Sequence, residues 1–320
     1  MRKWNEKRVN RKDNTKSKRS GVAINRKDLI NLPVPDSKLM WNYRHVREST
    51  GEAGSRNTKN IKIEIEVEGI RNNESWHSSL EFDFFNTEAI YCRPLGLKSL
   101  TEEERIIAPA AYHERIAYLQ PMSGLAADED KLTPGSIDVR VGMGKTADVL
   151  RNIIYQLIHP EREGNGNNGI NRWESLKKHI HDKFLIDIEE PVFRHETGQI
   201  EMFYTEDRIR YDLSSGGRGF HQVLLLLAYM YSNPGRVILI DEPDAHLEVL
   251  RQREIYNLLV EVAKEQDSQL IIASHSEVVL NQAGENDTVV GIFGDETQNL
   301  NNNQDIAQFK KSLIDIGWDK

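Results

Sequence analysis

Cysteine is almost absent from these 320 residues: Cys92 stands alone, which excludes an intrachain disulfide and a thiolate zinc site. Long apolar runs are missing too, and none approaches the roughly 20 residues that a membrane-spanning helix requires. The opening Met1-Arg-Lys-Trp-Asn has no apolar signal core behind it, so a reducing, cytoplasmic setting is expected. Nor is there an excess of positive charge. A net charge of −8 argues against a general nucleic-acid coat and leaves only local basic patches for such a role. What remains is an ordinary soluble composition, long enough for one large or two modest domains.

The pattern changes along the chain. Residues 1–20 are rich in Lys, Arg and Asn, with Glu6 and Asp13 the only acids, and read as a solvated basic arm or a nucleic-acid tether. Ile61, Ile63, Ile65 and Val67 then alternate with polar residues, Leu80, Phe82 and Phe84 repeat the alternation, and Ala89-Ile-Tyr-Cys92 adds a short strand. This predicts an antiparallel meander. Thr101-Glu-Glu-Glu reads as the start of a helix, and Ile116-Ala-Tyr-Leu119 as a strand ending at Gln120-Pro121. Helices are expected where Thr146 caps a stripe of Leu150, Ile153, Ile154 and Leu157, and where Trp173, Leu176, Ile180 and Phe184 share a face. Beyond a buried helix at 220–231, strand 237–241, helix 246–265, strand 269–273, a short helix from Glu277 and strand 288–293 alternate as units of a parallel sheet, before a last helix with Ile306 and Phe309.

The residues able to do chemistry lie in that second part. Val237-Ile-Leu-Ile240 reads as a buried strand that delivers Asp241 and Glu242 to its C-terminal edge, where α/β sheets bind ligands. Adjacent carboxylates there are costly unless they meet a cation or a hydrogen-bond network. Upstream, Leu213-Ser214-Ser215-Gly216-Gly217 turns into the buried helix; its glycines allow close backbone approach, and a helix N-terminus favours an anion. The bland reading is a glycine-rich turn that binds nothing. Downstream, Ile271-Ile-Ala-Ser274 ends on His275. His179 and His181, two apart on one helix, face different ways and do not make a metal pair.

In order and spacing these three stretches resemble the signature motif, Walker B with its D-loop, and switch histidine of ABC-type ATPases. Residues from about 25 to 320 resemble a bacterial AAA/ABC-type ATPase of the AAA_21 kind, akin to the ATPase domains of OLD-like nucleases and, more distantly, SMC-like proteins. Asn31-Leu-Pro-Val-Pro-Asp36, Pro121-Met-Ser-Gly-Leu125, Thr146-Ala-Asp-Val-Leu-Arg-Asn152 and Asp241-Glu-Pro-Asp-Ala-His-Leu-Glu248 carry that likeness. The resemblance implies a P-loop NTPase-like α/β fold: a parallel sheet flanked by helices, an antiparallel β meander and a helical subdomain at 122–212, behind a basic arm at 1–24. It implies ATP and Mg²⁺ as cofactors. Asp241 would be the Mg²⁺ carboxylate, Glu242 the general base and His275 the switch histidine. Ser214, Gly216 and Gly217 would meet the γ-phosphate held by a second protomer, Gln120 would sense Mg²⁺ and water, and Ala245-His-Leu-Glu248 would form the D-loop.

One part of that pattern is missing. No stretch of the 320 residues reads G-x-x-x-x-G-K-[ST], the Walker A loop that cradles the phosphates. Gly142-Met-Gly144-Lys145-Thr146 comes nearest, but Val139 stands where the first glycine belongs, so it reads as a helix N-cap turn with Lys145 reaching towards another subunit. The expectation is therefore an ATP-hydrolysing module that needs a Walker A from another chain or segment. It would close as a homodimer or with a Walker A-bearing chain, in a DNA-directed system such as phage defence or repair. A TOPRIM nuclease module is a further expected partner, although nothing here supplies its carboxylates. The alternative is a catalytically incomplete partner subunit or truncated remnant that lends its signature and D-loop faces to another ATPase.

Overall fold

Two-residue alternation builds the first part of the molecule and continuous apolar strands the second, and the boundary between two compact units, Met1–Ile116 and Ala117–Lys320, falls where one pattern gives way to the other. The structure, a computed structural model, describes residues 21–29, 34–50, 57–94, 111, 114–120, 124–160, 166–245, 247–284, 287–293 and 296–300.

In the first unit, strands β1 (Val22–Asn25), β2 (Arg47–Thr50), β3 (Asn57–Asn60), β4 (Lys62–Arg71), β5 (Glu74–Asn86) and β6 (Ala89–Pro94) form a four-stranded antiparallel sheet in the order β1-β6-β5-β4, with β2 and β3 pairing as a separate hairpin. The predicted meander is there. β4 turns into β5 through Asn72-Asn73, both at positive φ, as a two-residue hairpin requires. Ile63 pairs with Phe82, and these two pack on a small core of Trp41, Phe84 and Ile90. On the opposite face Glu81 is nearly buried between Lys62 and Arg93. Burial alone would push its carboxyl up, but the two cations hold it below the ordinary value. β1 begins at Val22, inside the segment expected as part of the basic arm; residues 1–20 of that arm, the helix expected at Thr101 and the last helix near Ile306 lie outside the described residues.

The second unit opens with β7 (Ile116–Leu119), which starts at the boundary, and continues through α1 (Pro134–Gly142), α2 (Leu150–Ile158) and α3 (Gly166–Phe184). Short antiparallel strands follow: β8 (Asp187–Ile188), β9 (Val192–Arg194), β10 (Gln199–Glu201), β11 (Phe203–Glu206) and β12 (Ile209–Asp212). Then come α4 (Arg218–Ser232), β13 (Val237–Asp241), α5 (Val249–Glu265), β14 (Gln269–Ala273), α6 (Glu277–Leu280), β15 (Val290–Phe293) and β16 (Glu296–Asn299). Helix α4 is apolar nearly all round and its residues from Phe220 to Tyr231 are buried, so it forms the centre of the core. Against it lie Ile153, Ile154 and Leu157 of α2, Trp173, Leu176 and Ile180 of α3, and Ile238 and Ile240 of β13. β13 and β14 pair in parallel, Val237 with Gln269 through Asp241 with Ala273, in a sheet ordered β14-β13-β7. The fold is thus mixed α/β, with a parallel sheet, antiparallel strands and several helices, as the sequence predicts. Among the described residues no helix is long and apolar enough to cross a membrane.

Two local expectations are corrected. β15 does not extend the parallel sheet but pairs antiparallel with β16; Gly294-Asp295 between them is a two-residue hairpin signal, and it outweighs the βα alternation before it. Thr146 does not cap α2: Thr146–Val149 makes a 3₁₀ turn, and the first free amides of α2 are taken by Glu129 instead. The Glu129 carboxylate accepts from the backbone N–H of Arg151 (3.0 Å) and Asn152 (2.6 Å) and from the Asn152 side chain (2.8 Å). Burial pushes its carboxyl up, and these donors pull the other way.

Arg151, its side chain 1% exposed, carries this arrangement onward: its guanidinium donates to the Ala126 carbonyl (3.0 Å) and to Asp212 Oδ1 (3.2 Å), and lies 3.7 Å from Glu129. Asp212 is the last residue before the Ser214 turn, so the helices and that turn share one charge network centred on the buried Arg151 and Glu129. Removing one partner leaves an uncompensated charge in the interior. Arg151→Met should lower the unfolding free energy by about 3–5 kcal/mol, read from urea melts, whereas Arg210→Met, at an exposed ion pair with Glu189, should cost under about 1 kcal/mol.

Candidate functional site

The parallel register of β13 on β14 places the predicted residues. Because Asp241 pairs with Ala273, the next residues on both strands, Glu242 and the Ser274-His275 step, leave the sheet together at its C-terminal edge. The Glu242 N–H extends the ladder by donating to the Ala273 carbonyl at 2.8 Å. His275 Nδ1 then lies 3.0 Å from Glu242 Oε1, with both side chains partly open to solvent.

Glu242 holds its place at some cost. Its φ is +46°, in the left-handed region, directly ahead of Pro243, which itself favours an extended neighbour. A non-glycine residue held there costs on the order of 1–3 kcal/mol, and such outliers cluster at functional sites. The surrounding bonds over-determine it. The Ala245 N–H donates to the Glu242 carbonyl (3.0 Å), and the buried Asp244 accepts from Ser274 Oγ (2.7 Å). Ser274 Oγ in turn accepts from the Ser276 N–H (2.9 Å), Ser276 Oγ donates to Gln252 Oε1 (2.8 Å), and the Gln252 amide donates to the Leu247 carbonyl (3.1 Å). This chain ties Asp244 and Leu247 to the histidine loop. Sequence reasoning missed Asp244, Ser274, Ser276 and Gln252; the serines flanking His275 were the available signal.

The Ser214 turn is built separately. Asp212 caps it, accepting from the Ser214 N–H (2.8 Å) and Ser214 Oγ (2.6 Å), a D-x-S pattern that sequence alone could have shown. The His221 ring reaches back from α4, and its Nε2–H donates to the Leu213 carbonyl at 2.6 Å. Gly216 is required here because a β-carbon would sit 2.7 Å from Phe220 Cδ1 and 2.8 Å from His221 Nε2; Gly217 faces open space. Gly216, Gly217 and Gly219 line an open cleft of ≈ 300 Å³ together with Leu247, Glu248 and Arg251. The structure therefore gathers the predicted residues into two groups. Asp241, Glu242 and His275 stand at the sheet edge, Gly216 and Gly217 stand beside Leu247 and Glu248, and the Leu247–Gln252–Ser276–Ser274 chain runs between the groups. His246, within that segment, lies outside the described residues.

Gln120 follows β7, the strand beside β13, and its carboxamide lies against Gly144, where any side chain would collide with it. Gly144 belongs to the Gly142–Thr146 turn, which is not an N-cap turn but the C-terminal closure of α1. With Gly144 at φ +74°, the Lys145 N–H donates to the Arg140 carbonyl (2.9 Å) and the Gly144 N–H to the Val141 carbonyl (3.0 Å), the paired bonds of a Schellman ending. Met143 N–H is likewise bonded to Val139 and Arg140. The amides that a phosphate loop aims at its ligand are spent on the helix. Among the described residues no group of three or more His, Cys, Asp or Glu is arranged to hold a metal. A site relying on Asp241 would suit Mg²⁺, which is commonly held by one or two carboxylates together with phosphate oxygens and water.

Residues 174–281, from within α3 through α6, match the family model described as "AAA domain, putative AbiEii toxin, Type IV TA system". Among solved structures, an Smc head bound to the C-winged helix domain of ScpA is 14% identical over 77% of this chain and 76% of that one, with a TM-score of 0.46. The SMC head domain from Thermotoga maritima is 16% identical over 74% and 72% of the two chains, TM-score 0.36. An ATP-binding cassette of an ABC transporter in its ADP conformation is 16% identical over 81% of this chain and 100% of that one, TM-score 0.36. Likenesses this slight bear on no chemistry. No curated protein matches the chain.

Gly216→Ala should lower stability by about 1–3 kcal/mol in denaturant melts, because its methyl group must displace Phe220 and His221, while Gly217→Ala should be near neutral. Burial pushes the His221 imidazole below its usual value, against the pull of the Leu213 carbonyl. The unfolded chain takes up that proton near pH 6.5 and the folded chain only at lower pH. Stability should thus be full above about pH 6.5 and fall as the pH drops below it, and His221→Gln should flatten that slope in urea titrations between pH 7.5 and 5.

Proposed function

We propose that this chain is the carboxylate and signature part of an ABC-type ATPase, hydrolysing ATP at an interface where another chain supplies the Walker A loop. The observation that carries the reading is the Glu242–His275 contact at the ends of adjacent parallel strands, joined to a strained backbone at Glu242. In this mechanism the Glu242 carboxylate accepts a proton from the attacking water, and His275, beside it, turns a ring nitrogen to the γ-phosphate. Asp241 would hold Mg²⁺, which would neutralise charge on the phosphate oxygens. The turn of Ser214, Gly216 and Gly217 would bring the N-terminus of α4 to the γ-phosphate bound by the partner, and Gln120 would serve the Mg²⁺ and water side of the site. A homodimer or a heterodimer around nucleotide, a DNA-directed role in phage defence or repair, a TOPRIM nuclease partner and a cytoplasmic location belong to the same reading, on the sequence resemblance alone.

A second reading is favoured by one observation, the bonded amides of Gly142–Lys145. On it the chain is a catalytically incomplete subunit that lends its faces to another ATPase without turnover at its own carboxylates. Both readings require weak nucleotide binding by the isolated chain. Calorimetric titration with a non-hydrolysable ATP analogue and Mg²⁺ should show no tight stoichiometric site; if one appears, and Lys145→Ala abolishes it, the Gly142–Thr146 turn is a phosphate loop after all. With a Walker A-bearing chain present, Glu242→Gln should keep or accumulate the nucleotide-bound dimer on a sizing column while lowering turnover about 10²-fold or more. Ser214→Arg should prevent that dimer. Turnover unchanged in both variants would leave the second reading in place.

A further inference from the structure

Arg151 carries an unused donor. Its guanidinium directs Nη1 to the Ala126 carbonyl (3.0 Å) and Nη2 to Asp212 Oδ1 (3.2 Å), but its buried Nε has no hydrogen-bond partner among the described residues. An orphaned donor on a cation whose side chain is 1% exposed is unfavourable and calls for a physical reason. Nε and Nη2 lie on the same side of a guanidinium and together can grip a carboxylate through two parallel bonds. Here that grip is half made.

Ser214 stands in its way. Asp212 Oδ1 accepts from the Ser214 N–H (2.8 Å), from Ser214 Oγ (2.6 Å) and from Arg151 Nη2, while Oδ2 accepts no bond from the described residues. Three donors exceed the two lone pairs of one oxygen, and the Arg151 bond is the long one. The turn's own donors consequently face inward: the Ser214 amide and hydroxyl go to Asp212, and the Gly216 amide goes to the Leu213 carbonyl (3.2 Å). The first amides of α4 remain available, since the bond that opens that helix runs from the His221 N–H to the Gly217 carbonyl (3.0 Å). In this state an anion meets the Asp212 carboxylate and a Ser214 hydroxyl already committed to it.

We propose that Arg151 is a positioning residue that opens the Ser214 turn to an anion. The inference rests on the ATPase reading above for the anion itself, a phosphoryl group. As the Ser214 hydroxyl leaves Asp212 for a phosphoryl oxygen, Asp212 closes onto Nε and Nη2 of Arg151 in a two-bond fork. The fork replaces the bond that Asp212 loses and satisfies the buried Nε. It also holds the carboxylate charge against a cation, which weakens its repulsion of the incoming anion. Arg151 lies in the first turn of α2, so the state of the turn is tied to that helix. An arginine with a structural role alone would keep the same bonds whether or not Ser214 were engaged.

The ¹H–¹⁵N signal of Arg151 Nε in the full chain reads the exchange directly. Ser214→Ala frees Asp212 from the hydroxyl with no ligand present, and should slow solvent exchange of the Nε proton about tenfold or more as the fork forms. Inorganic triphosphate added to the unaltered chain should slow it likewise, in step with shifts of the Ser214 and Gly217 amides. Sodium chloride at equal ionic strength should do neither. Asp212→Asn, whose amide has a single acceptor oxygen, should remove the Nε response to triphosphate. An Nε proton unchanged in Ser214→Ala overturns the proposal, as do turn amides that shift with triphosphate while Nε stays as it was. A response that survives Asp212→Asn, or that chloride reproduces, overturns it too. If Ser214→Ala slows Nε but triphosphate moves nothing at the turn, the fork stands and the phosphate reading of the turn falls, so the two failures are told apart.

Discussion

The site depends on one register. Pairing Asp241 with Ala273 lets the Glu242 amide take the Ala273 carbonyl, and that single bond turns the chain through a left-handed φ and sets the Glu242 carboxylate against His275. A slip of one residue in the β13–β14 ladder would reverse every side chain on the strand and separate the pair. The buried apolar faces of Ile238 and Ile240, packed on α4, fix that register from below. The Asp244–Ser274 bond secures it from above. Strain at Glu242 is thus sustained by packing on one side and hydrogen bonds on the other.

A second constraint governs the Ser214 turn. Asp212 holds both the amide and the hydroxyl of Ser214, and Arg151, held in turn by Glu129 at the start of α2, balances the Asp212 charge. In this state the Ser214 proton is committed to Asp212, so contact with a phosphate oxygen requires that bond to be exchanged. The buried guanidinium keeps the local charge from being wholly negative where an anion would approach. The α2–α3 layer and the turn are consequently coupled by electrostatics as well as by packing.

Much of this was legible beforehand, for identifiable reasons. Val237–Ile240 and Leu270–Ile272 are continuous apolar runs, and their charged or polar endings place Asp241, Glu242 and His275 at one sheet edge. The alternation of Ile63, Ile65 and Val67 against Leu80, Phe82 and Phe84 gives the meander. The misses arose where a local signal competed with a longer pattern. β15 pairs antiparallel with β16 despite the βα rhythm before it. Gly144 closes α1 instead of opening the next helix, since only the backbone bonds to Arg140 and Val141 reveal which side the turn serves. Glu129 and Arg151 meet Asp212 from far along the chain, and one sequence carries no signal of such a long-range pair.

The central claim is that Glu242 and His275 form the reactive end of a nucleotide site completed by another chain. The ¹⁵N resonances of the His275 ring, followed in this protein together with a Walker A-bearing partner, test it most directly. On adding Mg·ADP with aluminium fluoride, a mimic of the transferring phosphoryl group, Nε2 should shift as it gains a hydrogen bond, and Glu242→Gln should alter the signal of Nδ1, which lies 3.0 Å from Glu242 Oε1. A His275 ring that does not respond to the bound mimic would contradict the account.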